Sequence, residues 1–403
     1  MSQGVDPPGV IFKVQQSWVG SSTGQYAEPP TIQLSTYNGA ASDAPVMLTF
    51  ADLSSPAYFV RNPSGMGQDQ FIFRFTGSVK YFTLDGAGKL ILKSTATGGT
   101  STGLIGFISS IFLPLDIDAI TIQRVVMHGN GRNNTFVGVY IGDGFLGGPV
   151  NPVSNIGANE GITIQGCTID SVSRPILVAG IRANTRNIRV IQDTLGNLTD
   201  PTAWAADDNI GAVHLRGVQN PIVQRCIVHG ETSDKRSIAG IRLDSCENFT
   251  ITQNWVYNIQ YFSFGQPQGY GSYGIYIALP STFIGSSVNN VVSHNMLAGL
   301  SGDGNVVSFP SRIPAGIFVE ATSGSISDAE LALIHNSIHL FGSNDGFFTT
   351  YNGSSAGIAI SASVQGGVKI DGNLIQNTFN AFGSDTAYGL VIATDNPSGF
   401  DIN

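Results

Sequence analysis

The sequence carries little charge: Lys, Arg, Asp and Glu make up 12% of its 403 residues, about half of the roughly 25% that is usual. So few charges exclude a disordered chain or a long coiled coil. The three cysteines, Cys167, Cys226 and Cys246, are too few and too scattered for a disulfide framework or a thiolate zinc site. We therefore expect them to be buried thiols.

Two further absences limit the function. No apolar run approaches the roughly 20 residues of a membrane-spanning helix, so we expect no membrane insertion, and the first residues lack the basic and apolar regions of a signal peptide. Acidic residues outnumber basic ones by 28 to 19. This excess argues against a nucleic acid or an anionic membrane as a partner.

Glycine is abundant, with 50 residues, and several of these glycines belong to a repeat. The repeat is a small residue, an apolar residue, any residue and a second apolar residue, with its small residue at positions 138, 180, 212, 240, 274, 316, 357 and 389. A second motif, an alternating apolar segment that ends in Asn or Cys, lies between successive copies of the first. Its final residues are Cys167, Cys226, Asn254, Asn295, Asn336 and Asn373.

These patterns predict the fold. Segments of four to six residues with period-two alternation, rich in Ile and Val, are typical of strands and not of helices. A unit of about 28 residues with two or three such strands cannot close a core alone and must stack on its neighbours. We therefore predict an all-β solenoid, a single-stranded right-handed parallel β-helix, in which Ile181, Val213, Ile241 and Ile275 stack inside the coils.

The second motif predicts a structural ladder. A corner residue in the left-handed region is least costly as Asn or Gly, and an Asn amide can bond the equivalent amide one coil away. We expect Asn254, Asn295, Asn336 and Asn373 to form this ladder, with Cys167 and Cys226 filling the same column earlier in the chain.

The chain shows no linker between domains. Residues 1–118 predict irregular, aromatic-rich opening coils, and residues 119–403 predict regular coils. The segment 399–403 matches 367–371 and stops before the ladder position, so the last coil is expected to be incomplete. Open coil ends present unpaired backbone groups, and we expect self-association through them.

The sequence contains none of the familiar catalytic signatures, so it predicts no catalytic residue, metal or cofactor. Because coils stack, outward residues at equivalent positions form columns. Arginines, acids and aromatic rings are concentrated in two of these columns, a combination that suits stacking on a sugar and binding its carboxylate. The candidate glycan-binding residues are Tyr140, Arg182, His214, Arg216, Arg242, Asp244, Tyr276, Phe318 and Glu320.

Other interpretations of these residues stay open. A lyase would use Arg or His as the base, with Asp244 or Glu320 holding a cation; a plain solvated face would pair Arg216 with Asp244. The adjacent acids at 207 and 208 suit a turn better than a hydrolase. His294 and His335 precede ladder positions, but no third metal ligand is evident.

The repeat resembles the parallel β-helix repeats of the pectate-lyase-like superfamily over roughly residues 70–403. Within it, segments 73–86 and 133–143 resemble the large repeat-bearing surface proteins of Bacteroidota-type bacteria. That resemblance implies secretion and a role at the cell surface, often with no catalytic site.

Together these observations predict an extracellular structural or adhesive rod of a bacterial surface or matrix that assembles end to end into a fibre, with an extracellular polysaccharide as a second expected partner. The alternatives are a polysaccharide lyase, a hydrolase or a glycan-binding β-helix. A third is a phage tail-spike or fibre, which predicts a trimer.

Overall fold

The structure is a computed structural model. It describes residues 9–13, 32–34, 44–61, 71–97, 102–109, 116–131, 134–143, 159–180, 182–196, 211–230, 232–233, 238–261, 271–284, 288–301, 313–341, 354–378, 386–394 and 399–403. The chain divides into two compact units, residues 1–195 and 196–403. None of the described residues belongs to a helix that could cross a lipid bilayer.

Unit 1 contains seventeen described strands. They are β1 (Val10–Lys13), β2 (Ile32–Leu34), β3 (Val46–Thr49), β4 (Ala57–Arg61), β5 (Phe71–Thr76), β6 (Ser78–Asp85), β7 (Leu90–Ser94), β8 (Gly103–Ser109), β9 (Asp116–Gln123), β10 (Val126–His128), β11 (Val137–Asp143), β12 (Asn159–Gln165), β13 (Thr168–Asp170), β14 (Arg174–Ala179), β15 (Thr185–Arg186), β16 (Arg189–Ile191) and β17 (Thr194–Leu195). Residue 118, where the sequence predicts that the opening coils end, lies inside β9.

Unit 2 contains nineteen described strands. They are β18 (Gly211–Arg216), β19 (Ile222–Gln224), β20 (Ile227–His229), β21 (Thr232–Ser233), β22 (Ile238–Asp244), β23 (Thr250–Thr252), β24 (Trp255–Tyr257), β25 (Gln260–Tyr261), β26 (Ser272–Leu279), β27 (Asn290–Ser293), β28 (Met296–Ala298), β29 (Ala315–Ala321), β30 (Leu331–Ile334), β31 (Ser337–Leu340), β32 (Ser355–Ile360), β33 (Val368–Asp371), β34 (Leu374–Asn377), β35 (Ala387–Ile392) and β36 (Phe400–Ile402).

In unit 2 the strands visit three parallel sheets in rotation, except β21 and β25, which pair with each other in a separate two-stranded sheet. Sheet I holds β18, β22, β26, β29, β32 and β35, sheet II holds β19, β23, β27, β30, β33 and β36, and sheet III holds β20, β24, β28, β31 and β34. Each strand pairs in parallel with its equivalent one coil away, as β26 does with β29. Strands of unit 1 follow the same rotation through three parallel sheets. The predicted parallel β-helix is therefore confirmed.

The core of unit 2 is built from stacked aliphatic side chains. The register pairs Val213 with Ile241, Ile241 with Ile275, and Ile275 with Ile317, and all four side chains are fully buried. The predicted stack is confirmed for its three members in this unit, whereas Ile181 lies outside the described residues. Burying a large aliphatic side chain contributes about 1.5–3 kcal/mol, so these stacks stabilise each coil against the next.

The glycines of the first motif are required by close packing. A Cβ on Gly316 would lie 2.5 Å from the carbonyl oxygen of Gly357 and 2.5 Å from Cγ2 of Ile338. Gly240 and Gly274 face core side chains of sheet III in the same way. At these three positions, near the start of β22, β26 and β29, the coil leaves no room for a side chain.

We expect Gly316→Ala to destabilise the protein by about 2 kcal/mol, because overpacking forces neighbouring atoms to move. The measurement is the midpoint of urea unfolding. Gly389→Ala is the matched control, since a Cβ on Gly389 meets no heavy atom within 4 Å. Equal losses in the two variants would contradict the packing explanation.

An asparagine ladder runs along the corner between sheets II and III of unit 2. The side-chain oxygen of Asn295 accepts from both the main-chain N and Nδ2 of Asn254, at 3.0 and 2.9 Å. The same pair of bonds joins Asn295 to Asn336 and Asn336 to Asn373. Cys226 begins the run by donating its main-chain N to Asn254 Oδ1 over 2.9 Å.

In unit 1 the corresponding corner contains an aspartate that the sequence analysis did not identify. The main-chain N of Cys167 donates to Oδ1 of Asp193 over 2.6 Å. Asp193 is 1% exposed, and its Oδ2 has no hydrogen-bond partner among the described residues. Burial raises the pKa of Asp193 to about 7, although hydrogen bonds from the main chain of Cys167 and Ile191 oppose the shift. All three cysteines are free and buried, as expected.

Candidate functional site

The candidate residues of unit 2 lie on the outer face of sheet I, where side chains point away from the coil interior. The register places His214 beside Arg242, Arg242 beside Tyr276, and Tyr276 beside Phe318. A second column holds Arg216, Asp244, Ala278 and Glu320. Stacking in these two columns therefore follows the spacing that the repeat predicts.

The first of these columns is buried, whereas Arg216, Asp244 and Glu320 of the second are partly exposed. His214, Arg242 and Tyr276 are each 5% exposed and Phe318 is fully buried. Ile313, from the segment before β29, belongs to the same apolar cluster. Rings that are covered in this way cannot serve as an open stacking surface for a sugar.

Asp244 is the centre of the polar part of the cluster. Its Oδ2 lies 2.7 Å from Nε2 of His214 and accepts from Nε of Arg242 over 3.0 Å, and its Oδ1 lies 2.9 Å from Nη2 of Arg242. Burial alone would raise the pKa of Asp244, but the charge of Arg242 and the hydrogen bond from His214 hold it well below its ordinary range. Burial alone would likewise lower the pKa of Arg242, yet the charge of Asp244 raises it.

Tyr276 joins this ion pair to Glu320. The guanidinium of Arg242 lies 3.9 Å from the centre of the Tyr276 ring, and the ring packs against Phe318 with centroids 5.3 Å apart. The Tyr276 hydroxyl donates to Oε1 of Glu320. Burial raises the pKa of Tyr276 and of Glu320 above their ordinary values. Glu320 is partly exposed, so it is the member of the cluster that solvent reaches most readily.

Two candidates lie in unit 1, and the structure separates them. Tyr140 is 3% exposed and packs in a cluster with Phe71, to which it is stacked at 6.3 Å. The register pairs Tyr140 with Leu177 of β14, whereas Arg182 lies in the turn that follows β14. The expected alignment of Arg182 with Tyr140 is therefore wrong, because the strand of this coil is 174–179 and not the motif around Gly180.

Sequence reasoning missed Tyr273, which is fully buried on the outer face and contacts both Tyr276 and Phe318. The available signal was the alanine at the equivalent position of neighbouring coils, Ala239 and Ala315. Small residues around one large ring indicate a packed layer. Residues 207 and 208 lie outside the described residues.

The chemistry of this cluster is that of a buried ion pair extended by a tyrosine. Within the described ranges no three His, Cys, Asp or Glu side chains are grouped so that they could hold a metal ion. The Asp244 carboxylate is neutralised by Arg242, which makes it a poor base. Removing one partner of a buried ion pair strongly destabilises a protein. The pair itself lies within β22, and the contacts of His214 with Asp244 and of Tyr276 with Arg242 join β18 and β26 to that strand.

No protein-family model matches the sequence, and no curated relative matches it. Among solved structures the chain is similar to the Dettilon tailspike protein (gp208), at 13% identity over 95% of this chain and 61% of that chain, with a TM-score of 0.45. It is also similar to the A-module of the mannuronan C-5 epimerase AlgE4 of Azotobacter vinelandii, at 13% identity over 89% and 88%, with a TM-score of 0.36. A third is the Streptococcus pneumoniae surface protein and adhesin PfbA, at 11% identity over 86% and 85%, with a TM-score of 0.36.

Similarity at this level concerns the fold alone. These solved structures are right-handed parallel β-helix proteins, and their similarity assigns neither a superfamily nor a role to this chain. The narrower resemblance to Bacteroidota-type surface proteins gains no support from them.

Proposed function

We propose that this chain is an extracellular β-helix rod with a structural or adhesive role. One observation carries the proposal: His214 and Arg242 of sheet I are buried, and both bind Asp244. The side chains of His214 and Arg242 are 7% and 6% exposed, and both contact Asp244. Groups used in this way stabilise the coils and do not face a substrate.

The chemistry of the cluster supports the same proposal. A general base must reach the proton that it removes and must have a pKa near the working pH, whereas Asp244 is neutralised by Arg242 and its pKa is lowered. A sugar-binding ring must offer one open face. Tyr276 has Arg242 over its ring and Phe318 packed against it.

A polysaccharide lyase or hydrolase is the second candidate. Glu320 favours it, because this carboxyl is partly exposed, has a raised pKa and accepts a hydrogen bond from Tyr276. A carboxyl group with a raised pKa is typical of a general acid. The other carboxylate of this column, Asp244, is held by Arg242 and His214.

Incubation with acidic and neutral polysaccharides, followed by assays for unsaturated uronates and new reducing ends, tests the proposal. We expect no product. Asp244→Asn should lower the thermal midpoint by several degrees, because it leaves the Arg242 charge uncompensated in a buried site. Asp371→Asn is the matched control, since it removes one partner of an exposed pair with Lys369 and should have little effect.

If the chain forms product, and Glu320→Gln abolishes this activity without changing the thermal midpoint, the proposed structural role is wrong. The chain would then be an enzyme that acts on polysaccharides through Glu320.

A further inference from the structure

Sheet III of unit 2 exposes an aromatic surface that the sequence analysis did not consider. Trp255 is 45% exposed, and the register places Met296, which is 57% exposed, beside it on β28. Tyr257 packs against the indole with ring centroids 4.6 Å apart and planes 31° apart. An exposed indole beside a phenol ring forms an apolar platform that suits a ring-shaped ligand.

A column of polar residues follows the corner next to this platform. Arg225, Gln253, His294 and His335 occupy the same position of four successive coils, with φ between 54° and 59°, and all four are exposed. We call these four residues, together with Trp255 and Tyr257, the Trp255 face. Since Asn254 lies between Gln253 and Trp255 in the chain and points inward as part of the ladder, the corner and the platform are adjacent on the surface.

Arg225 provides a guanidinium that has no acidic partner within the described part of the chain. Its Nε donates to Oε1 of Gln253 over 2.9 Å, and no described carboxylate lies within ion-pair distance of it. Gln253 Oε1 also accepts from Nε2 of Gln224 over 3.2 Å. A guanidinium held in place by an amide is ready to bind a planar carboxylate through two hydrogen bonds.

The charge of the Trp255 face is opposite to that of the whole chain. The segments that form it and its surroundings, 222–229, 249–261, 288–301 and 331–341, contain no Asp or Glu, although the net charge of the chain is −9. They contain Arg225 and four of the six histidines. The one permanent charge in these segments is therefore positive, which favours an anionic ligand over a cationic one.

The same segments contain a single permanent cation, because Arg225 is their only Lys or Arg. A nucleic acid is bound mainly through many Lys and Arg contacts to phosphates, and an anionic membrane through a cluster of basic residues. One guanidinium beside an exposed aromatic platform suits a ligand that has an apolar ring face and sparse charge.

We propose that the Trp255 face binds an acidic polysaccharide, with the indole of Trp255 covering a sugar ring and the Arg225 guanidinium, positioned by Gln253, binding the carboxylate of a uronate unit. This inference rests on the proposed adhesive role and names its partner class. It concerns sheet III and not the buried cluster of sheet I.

Affinity electrophoresis in native gels that contain polygalacturonate, or dextran as the uncharged comparison, tests the inference. We expect polygalacturonate to retard the full chain and dextran not to do so. Trp255→Ala and Arg225→Gln should each weaken the binding about tenfold, since buried Trp and Arg contacts dominate binding energies. Added salt should weaken the binding further.

Two controls remove matched groups from other surfaces. Phe12→Ala removes an aromatic side chain that is 57% exposed, and Lys369→Gln removes a cation whose side chain is 49% exposed. Both should bind polygalacturonate as the unchanged chain does. Circular dichroism of each variant checks that the fold is retained.

Equal binding by the unchanged chain and both test variants would show that the Trp255 face is not the binding site. An adhesive role of another surface would remain compatible with that result. Absence of binding to polygalacturonate by the folded, unchanged chain would overturn the ligand class. Sedimentation that shows a dimer lost in Trp255→Ala would assign the face to a second copy, and so would also overturn the inference. Degradation of the polysaccharide would instead refute the proposed function.

Discussion

Asn295→Leu is expected to lower the free energy of unfolding by about 4 kcal/mol. Leucine fills a similar volume, but it leaves the main-chain N of Asn254 and the carbonyl oxygen of Ile251 without the partners that Asn295 provides. It also removes one bond of the Asn254 amide. Each buried group left unsatisfied costs about 1–3 kcal/mol, and Asn295 is fully buried. Urea unfolding followed by circular dichroism measures the loss.

Asn289→Leu is the matched control, because the same exchange is made in the same coil at an exposed position. Its effect should stay within about 0.5 kcal/mol. A similar loss in both variants would show that leucine, and not the broken ladder, is responsible.

Asp193→Asn is expected to stabilise the protein, and to do so more strongly as the pH rises. The pKa of Asp193 is about 7 in the folded chain, against an ordinary value of 3.8. Because the folded state holds this proton more tightly than the unfolded state, stability falls as the pH rises from about 4 to about 7 and is constant above that. The free energy of unfolding that is lost once Asp193 is fully ionised approaches about 4 kcal/mol.

An asparagine cannot ionise, and it places a donor where Asp193 has an oxygen without a hydrogen-bond partner among the described residues. The variant should therefore exceed the natural chain in unfolding free energy by several kcal/mol at pH 8 and by much less at pH 5. Asp118→Asn, at a partly exposed site of the same unit, removes a matched charge and should change stability by only about 0.5 kcal/mol. A gain that is the same at both pH values would show that ionisation is not its cause.

The repeat made most of the fold predictable. Spacing of small and apolar residues is enough to place Val213, Ile241 and Ile275 in one stack, because a parallel coil allows only one register for a column of buried side chains. The exception is β14, in which Pro175 and not a glycine follows Arg174. The motif around Gly180 resembles the repeat more closely, but it lies after the strand, so Arg182 was assigned to the wrong place.

The candidate site was less predictable than the fold. Alternation shows that Arg242 and Tyr276 point away from the coil interior, but it does not show whether another layer covers that side of the sheet. The buried Tyr273 and Ile313 belong to such a layer. Trp255 escapes the sequence analysis for a different reason. A single tryptophan next to a ladder position has no periodicity, and only its exposure in the structure reveals it.

The ladder also bears on how the chain tolerates change. Its hydrogen-bonded partners are 28, 41, 41 and 37 residues apart, yet the bonds are alike. Since the entropy of closing a loop grows only with the logarithm of its length, the step from 28 to 41 residues costs about 0.3 kcal/mol. Peptide inserts between strands should therefore lower the free energy of unfolding only slightly. Because each coil contacts only its neighbours, folding can advance in one direction as the chain leaves the ribosome, with every completed coil serving as the template for the next.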